Sequence, residues 1–250
     1  PENEIATILR CFNGGSVAPA PGGDPVQSPN VLPTGRNMYS VNTEAVPTEK
    51  SWRTGVQLAD ATIAKYRKEH DGEYPQKINY TFWAGEFISS EGATVAQALW
   101  MLGVEPLRDD QGRVVDLRLV PAAELGRPRI DVVVQVSGQL RDIAASRLKL
   151  ITEAVKLAAS ADDGGAPNYV ADATKAQEKE LMAGGISPAK ARELGSMRVF
   201  GPINSGYGTG MLPYTENSGS WESKQELVDG YVNNMCAMYG DESNWGQPNR

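Results

Sequence analysis

The segment Gly126–Asp142, GRPRIDVVVQVSGQLRD, limits what this chain can fold into more than any other. Its centre, Ile130 to Val136, is apolar except at Asp131 and Gln135 and is rich in valine and isoleucine. A run of that length and composition predicts a strand covered on both faces. The small polar turn Ser137-Gly138 follows at once, then the charged pair Arg141-Asp142. Open α/β sheets bind ligands outside the carboxyl ends of their strands. The turn is therefore a candidate functional position.

Strand and helix signals alternate around this segment. Thr48 is placed to cap a helix in which Trp52, Val56, Ala59, Ile63 and Tyr66 share a face. Lys77 to Trp83 has strand composition. Glu91-Gly92 opens a second helix with Val95, Leu99 and Leu102 on its buried face, stopped by Gly103. Val104 to Leu107 and Val114 to Val120 are further strands, separated by the turn Asp109–Gly112. A helix over roughly 146–159 carries Leu148, Ile151, Val155 and Leu157. This alternation predicts, for residues 48–160, an α/β domain with a doubly wound, mostly parallel sheet of Rossmann or flavodoxin type. Residues 1–47 read as an ordered Gly/Pro-rich loop segment packing on that domain. Residues 161–250 read as mainly helical, interrupted by the glycine-rich loop 198–210. There Ser187-Pro188 starts one helix. Ser223 and Glu226 form a capping box for the last one, with Leu227, Tyr231, Met235 and Met238 along a face.

Bulk properties exclude some function classes. A net charge of −7 argues against phosphate-backbone binding as the main activity. No apolar run approaches the roughly 20 residues of a membrane span, and no signal peptide is visible. The start at Pro1 and the polar tail read as an excised piece of something longer. Cys11 and Cys236 stand far apart and outside any CxxC, compatible with two free thiols or one long-range disulfide.

Glu86 and Glu91 follow a strand end, where catalytic or metal-binding carboxylates sit; Glu91 alternatively caps the next helix. Arg36-Asn37 are candidates for a ligand carboxylate, since arginine grips carboxylates in bidentate fashion. Arg141-Asp142 read equally as a binding pair or as an internal ion pair. Arg127 and Arg129 lie before the strand, at the end opposite the site, and read as structural. The glycines of Asn204–Gly210 fit neither a Walker loop nor GxGxxG, which speaks against a nucleotide-binding domain. They would let backbone approach a flat ligand while Tyr207 covers a face, or form a plain turn. The single histidine, His70, ends a hydrophilic helix, so Ser137 has no partner for a hydrolase triad.

Three stretches together resemble the CobN and magnesium-chelatase large-subunit family: GGSVAPAPGGDPVQSPNVLPTGRN, the run from YTFWAGEF to SGQLRD, and RVFGPINSGYGTG followed by SWESKQELVDGYVNN. They span nearly the whole chain in the family's order. The first loop departs from a YVEPGPGG-like pattern at Ser16, Ala18 and Ala20. The WGTE/D-like turn is Trp83-Ala84-Gly85-Glu86, keeping the carboxylate. The SGxFRDLF-like stretch is Ser137 to Ala144, keeping Arg141-Asp142 and losing the aromatic. These departures look closer to the HmuS-like haem-utilisation branch, and the family's upstream histidine/glutamate motif has no counterpart here.

The resemblance implies a piece of a tetrapyrrole metallochelatase, acting on a porphyrin, haem or corrin. It would insert divalent Co or Mg or remove Fe, with ATP used only through ATPase partner subunits. It implies Glu86 as a catalytic carboxylate and Glu91 as a metal ligand. Arg36, Asn37, Arg141, Asp142 and Arg198 would hold the periphery of the macrocycle, and Trp83 and Tyr207 would pack on the ring. Localisation would be cytoplasmic for a biosynthetic chelatase, and membrane-associated or periplasmic for the haem-utilisation branch. The competing expectation is a non-catalytic scaffold that docks partner subunits, and an isolated fragment inactive by itself.

Overall fold

The computed structural model describes residues 2–22, 25–26, 29–39, 41–203 and 208–248. Helix α1 (Glu2–Phe12) precedes strands β1 (Pro19–Pro21) and β2 (Asn37–Tyr39), which pair in parallel. The long helix α2 (Glu49–Glu69) leads to β3 (Lys77–Phe82), α3 (Ala84–Ser90) and α4 (Ala93–Leu102). Strands β4 (Val104–Arg108) and β5 (Val114–Leu119) and the single turn α5 (Ala122–Leu125) come before β6 (Asp131–Val136). Helices α6 (Gly138–Ile143), α7 (Ala145–Ala159), α8 (Tyr169–Ala183) and α9 (Pro188–Gly195) follow. Then come β7 (Val199–Gly201), α10 (Leu212–Glu216), α11 (Lys224–Asn234), β8 (Ala237–Met238) and β9 (Gln247–Pro248).

The fold is mixed α/β. Its central sheet has the order β3-β6-β7-β8-β9, with β3, β6 and β7 parallel and β8 and β9 antiparallel to their neighbours. The sheet therefore crosses the boundary expected near residue 160, because β7 and β8 come from the region read as helical. Three- and two-residue strands are too short to leave an alternating pattern. The strands expected at 104–107 and 114–120 form but stay outside this sheet, pairing antiparallel with each other. Only a tight turn joins them, which allows a hairpin; a parallel crossover needs a dozen or more residues. Asp109 shapes that turn, its Oδ1 accepting from the amides of Gln111 at 3.0 Å and Arg113 at 2.9 Å.

The expectation that β6 is covered on both faces is corrected. Val132, Val134 and Val136 are fully buried, in one core with Phe82, Leu99, Leu102, Ile151 and Val155 from β3, α4 and α7. On the opposite face Val133 and Gln135 are half-buried, and Asn79 and Thr81 of β3 are exposed. Helix α11 reaches this second face only in part, with Tyr231 Oη donating to Gln135 Oε1 at 2.6 Å.

Helix α2 starts where Thr48 predicts, its hydroxyl accepting from the Ser51 amide at 3.3 Å. Its packing seam is Ser51, Gly55, Ala59 and Ile63, with the larger Trp52, Val56 and Tyr66 half-buried at the edges. The seam is small because α4 comes close: a Cβ on Gly55 would stand 2.7 Å from Ala93 O. In the region read as a loop, Ile5, Ile8, Leu9 and Phe12 fall at helical spacing on α1, and all four are exposed. Cys11 and Cys236 are free thiols. No described helix is long and apolar enough to cross a membrane.

Asp241 fastens the segment after β8. It accepts from the Ser243 amide at 3.0 Å and hydroxyl at 2.8 Å and pairs with Lys156 Nζ at 3.2 Å on α7. These bonds, the Ser243 amide first, bring its pKa down to about 2. A carboxylate depressed on folding stabilises the protein above its unfolded pKa of roughly 3.9. That contribution is lost as pH falls toward about 2. Asp241→Asn is expected to cost about 1 kcal/mol at pH 7, discounted for solvent screening, and to flatten stability between pH 4 and 2. Urea melts of both proteins across that window check this.

Candidate functional site

Parallel pairing puts the carboxyl ends of β3, β6 and β7 on one rim. Phe82 stands opposite Val136, and Gln135 opposite Phe200. The chain leaves β3 into Trp83 and α3, leaves β6 into Ser137 and α6, and leaves β7 through Pro202 and Ile203 toward the glycine segment. The Ser137 amide still donates to Phe82 O at 3.1 Å, so the first two exits are joined at the strand ends. Helices α3 and α6 pack against each other, with Phe87 and Leu140 buried.

Each rim side chain has a defined setting. Trp83 is 39% exposed. Glu86 is half-buried one turn into α3, and its Oε1 accepts from Ser90 Oγ at 2.6 Å. Ser137 caps α6, its Oγ accepting from the Leu140 amide at 3.2 Å; it is buried in that role. Arg141 donates from Nε to Asp142 Oδ1 at 2.8 Å and from Nη1 to Tyr239 Oη at 3.3 Å, with its guanidinium 5.3 Å from the Tyr239 ring centre. The hydrogen bond to Asp142 raises the Arg141 pKa above the ordinary arginine value. The Arg141 side chain is only 11% exposed and that of Asp142 48%, so the carboxylate presents the surface and the arginine supports it.

Tyr239 is the rim residue that sequence reasoning missed. It is buried, donates to Pro202 O, and stands edge-on to Trp245 at 5.2 Å. It thereby joins the exits of β6 and β7. The only signal was the apolar run Ala237-Met238-Tyr239 after a helix end, which is a weak strand indication. A cavity of about 450 Å³ opens beside it, lined by Ala145, Ser146, Lys149, Gly240, Asp241 and Trp245. Tyr207 lies outside the described residues.

Other candidates sit elsewhere. Arg198 is corrected to a structural residue. It precedes β7, at the end of the strand opposite the rim, and is fully buried. Its Nε donates to Asp131 Oδ1 at 2.8 Å and its Nη1 to Gln177 Oε1 at 2.6 Å, Gly195 O and Met197 O. A guanidinium so enclosed offers no surface to a ligand. Arg36 donates to Asn30 O, Leu32 O and Pro33 O, stitching its own loop, and Asn37 pairs with Pro19 in the β1–β2 ladder. Those bonds place neither residue on the rim. Glu91 ends α3 at φ 53°, and its Oε2 accepts from Thr48 Oγ1 at 3.0 Å, fastening the start of α2. Among the described residues no cluster of three or more His, Cys, Asp or Glu gathers to hold a metal ion. Arg127 donates to Met101 O and Pro128 O, and burial brings its pKa down to about 10.

The family described as CobN/Magnesium Chelatase matches residues 1–250. The magnesium-chelatase subunit ChlH, chloroplastic, of Oryza sativa subsp. indica is 36% identical over 92% of this chain and 16% of its own length. The aerobic cobaltochelatase subunit CobN of Sinorhizobium sp is 36% identical over 95% of this chain and 18% of its own. The solved catalytic subunit of cobaltochelatase from Mycobacterium tuberculosis superposes with a TM-score of 0.81 at 37% identity, covering 95% of this chain and 20% of that one. The chain thus corresponds to a fifth or less of these relatives, and on the match over its whole length it belongs to the CobN/magnesium-chelatase family.

Proposed function

We propose that the rim of β3, β6 and β7 is one wall of the tetrapyrrole site in a metallochelatase large subunit that inserts Co or Mg. The observation carrying this is the placement of Trp83 and Glu86 after β3 and of the Arg141–Asp142 pair after the adjacent strand β6, in a chain similar over nearly all its length to magnesium- and cobalt-chelatase subunits. Metallation requires two pyrrole N–H protons to leave and a hydrated divalent ion to approach. Both steps call for anchored carboxylates beside a flat surface. Glu86 and Asp142 are such carboxylates, each held by a neighbouring donor, and Trp83 is an exposed aromatic plane at the exit of β3. The metal is cargo here. Its remaining ligands, the other walls of the site and any ATPase partner belong to the rest of the protein. In this reading Arg36 stitches its own loop, Asn37 belongs to the β1–β2 ladder and Glu91 fastens the start of α2, and Tyr207 is kept as a ring-packing candidate.

A second reading, a docking module without a ligand role, draws on the half-covered sheet face around Asn79, Thr81 and Val133. One titration separates the two. Free-base porphyrin, haem and a cobalt-free corrinoid are added to the chain while the macrocycle absorbance is followed. A saturable shift is expected with at least one of them, weakened about threefold to tenfold by Trp83→Ala through loss of ring stacking. No shift with any of the three supports the docking reading.

A further inference from the structure

We propose that Ser90 is a positioning residue that holds the Glu86 carboxylate in one rotamer and leaves Oε2 as the atom that receives the pyrrole proton. This rests on the reading of Glu86 as the proton acceptor. A serine Oγ has two acceptor sites and one proton. Both acceptor sites face amides at the start of α4: that of its cap Gly92 at 3.2 Å, shared with Phe87 O at 3.1 Å, and that of Ala93 at 3.0 Å. The proton that remains is directed at Glu86 Oε1, 2.6 Å away. The Ser90 backbone is pinned as well, because its carbonyl accepts from Ser51 Oγ at 2.6 Å and Ser51 is buried in the first turn of α2.

A glutamate on an exposed helix turn samples several rotamers. Here residues four apart on α3 face each other, and the bond selects one. Preorganisation of this kind matters because proton transfer demands the acceptor within hydrogen-bond reach of the N–H. In the transfer the pyrrole N–H bond breaks, an O–H bond forms at Glu86 Oε2, and the ring nitrogen keeps the electron pair that then binds the metal. Glu86 Oε1 stays engaged by Ser90 throughout.

The test uses the full-length protein with its partner subunits and compares Ser90→Asp, Ser90→Ala and Ser90→Thr with Glu86→Gln. Aspartate keeps an acceptor for the α4 amides but at neutral pH has no proton for Glu86. Helix capping and the link to Glu86 are thereby separated. Ser90→Asp is expected to melt within a few degrees of the wild type, to lower kcat about tenfold or more, and to leave KM for the porphyrin unchanged. Ser90→Ala is expected to lower kcat similarly, and Ser90→Thr to return it to within about twofold. Wild-type kcat in Ser90→Asp alongside a crippled Glu86→Gln overturns the role of Ser90 and leaves that of Glu86 standing. Wild-type kcat in Glu86→Gln overturns both, through the reading on which this one rests.

Discussion

Replacing Arg198 by methionine is expected to destabilise the chain by about 3–5 kcal/mol, a large share of the roughly 5–15 kcal/mol that holds an ordinary domain folded. Arg198 and Asp131 are both fully buried and joined at 2.8 Å. The arginine also satisfies Gln177, Gly195 and Met197 from α8, α9 and the turn before β7. Removing it strands Asp131 at the start of β6, with Lys77 Nζ at 3.2 Å as the remaining cation among the described residues. Breaking one partner of a buried pair costs far more than removing both. The double change Asp131→Val with Arg198→Met is therefore expected to recover most of the loss. Denaturant melts of the four proteins of the cycle measure this. Additive losses in the double variant would show that the pair is not the unit of stabilisation. A ligand-holding role for Arg198 predicts instead little change in stability.

Arg198 also shows where sequence reasoning reached its limit. An arginine beside a glycine-rich loop looks like a ligand residue when only neighbours in sequence are visible. Its actual partners lie 67 residues away at Asp131 and 21 away at Gln177, and no local pattern encodes them. What the residues did reveal was local: the Thr48 cap, the stop at Gly103, the turn at Asp109–Gly112, and the capping box of Ser223 and Glu226. The strand Asp131–Val136 was legible from its valines, and its carboxyl-end turn led directly to Arg141-Asp142. Its partners on each side were not fully legible. A hairpin and a parallel pair of strands have the same composition, and β8 is two residues long. For the candidate site, the rule that ligands gather at carboxyl strand ends pointed to Glu86 and to Arg141-Asp142 as candidates, and the family resemblance added Trp83. Neither could find Tyr239 or Ser90, whose significance comes from contacts made across the fold.

Glu86→Gln in the full-length protein is expected to lower the rate of metal insertion about 10²–10⁴-fold, the range that a positioned general base contributes. Glutamine keeps the length and the acceptor that Ser90 requires, since its amide oxygen still receives the 2.6 Å bond. Oε2 alone is replaced, by an NH₂ that cannot take a proton. The fold should therefore survive, and porphyrin affinity should change by less than about threefold because no apolar contact is removed. A fall in kcat with KM intact marks an interaction made only in the transition state. Asp142→Asn should act differently. Asp142 is half-exposed and held by Arg141, and its charge is as suited to drawing in the hydrated cation as to taking a proton. Its loss is expected to raise the metal concentration needed for half-maximal rate several-fold and to affect kcat less. Single-turnover kinetics at saturating porphyrin and varied metal separate the two carboxylates. Equal effects of both substitutions on kcat, with no change in metal dependence, would assign them one shared role in place of two. An unaltered rate in Glu86→Gln would remove Glu86 as the proton acceptor and leave Asp142 as the carboxylate of this rim to be tested for that role.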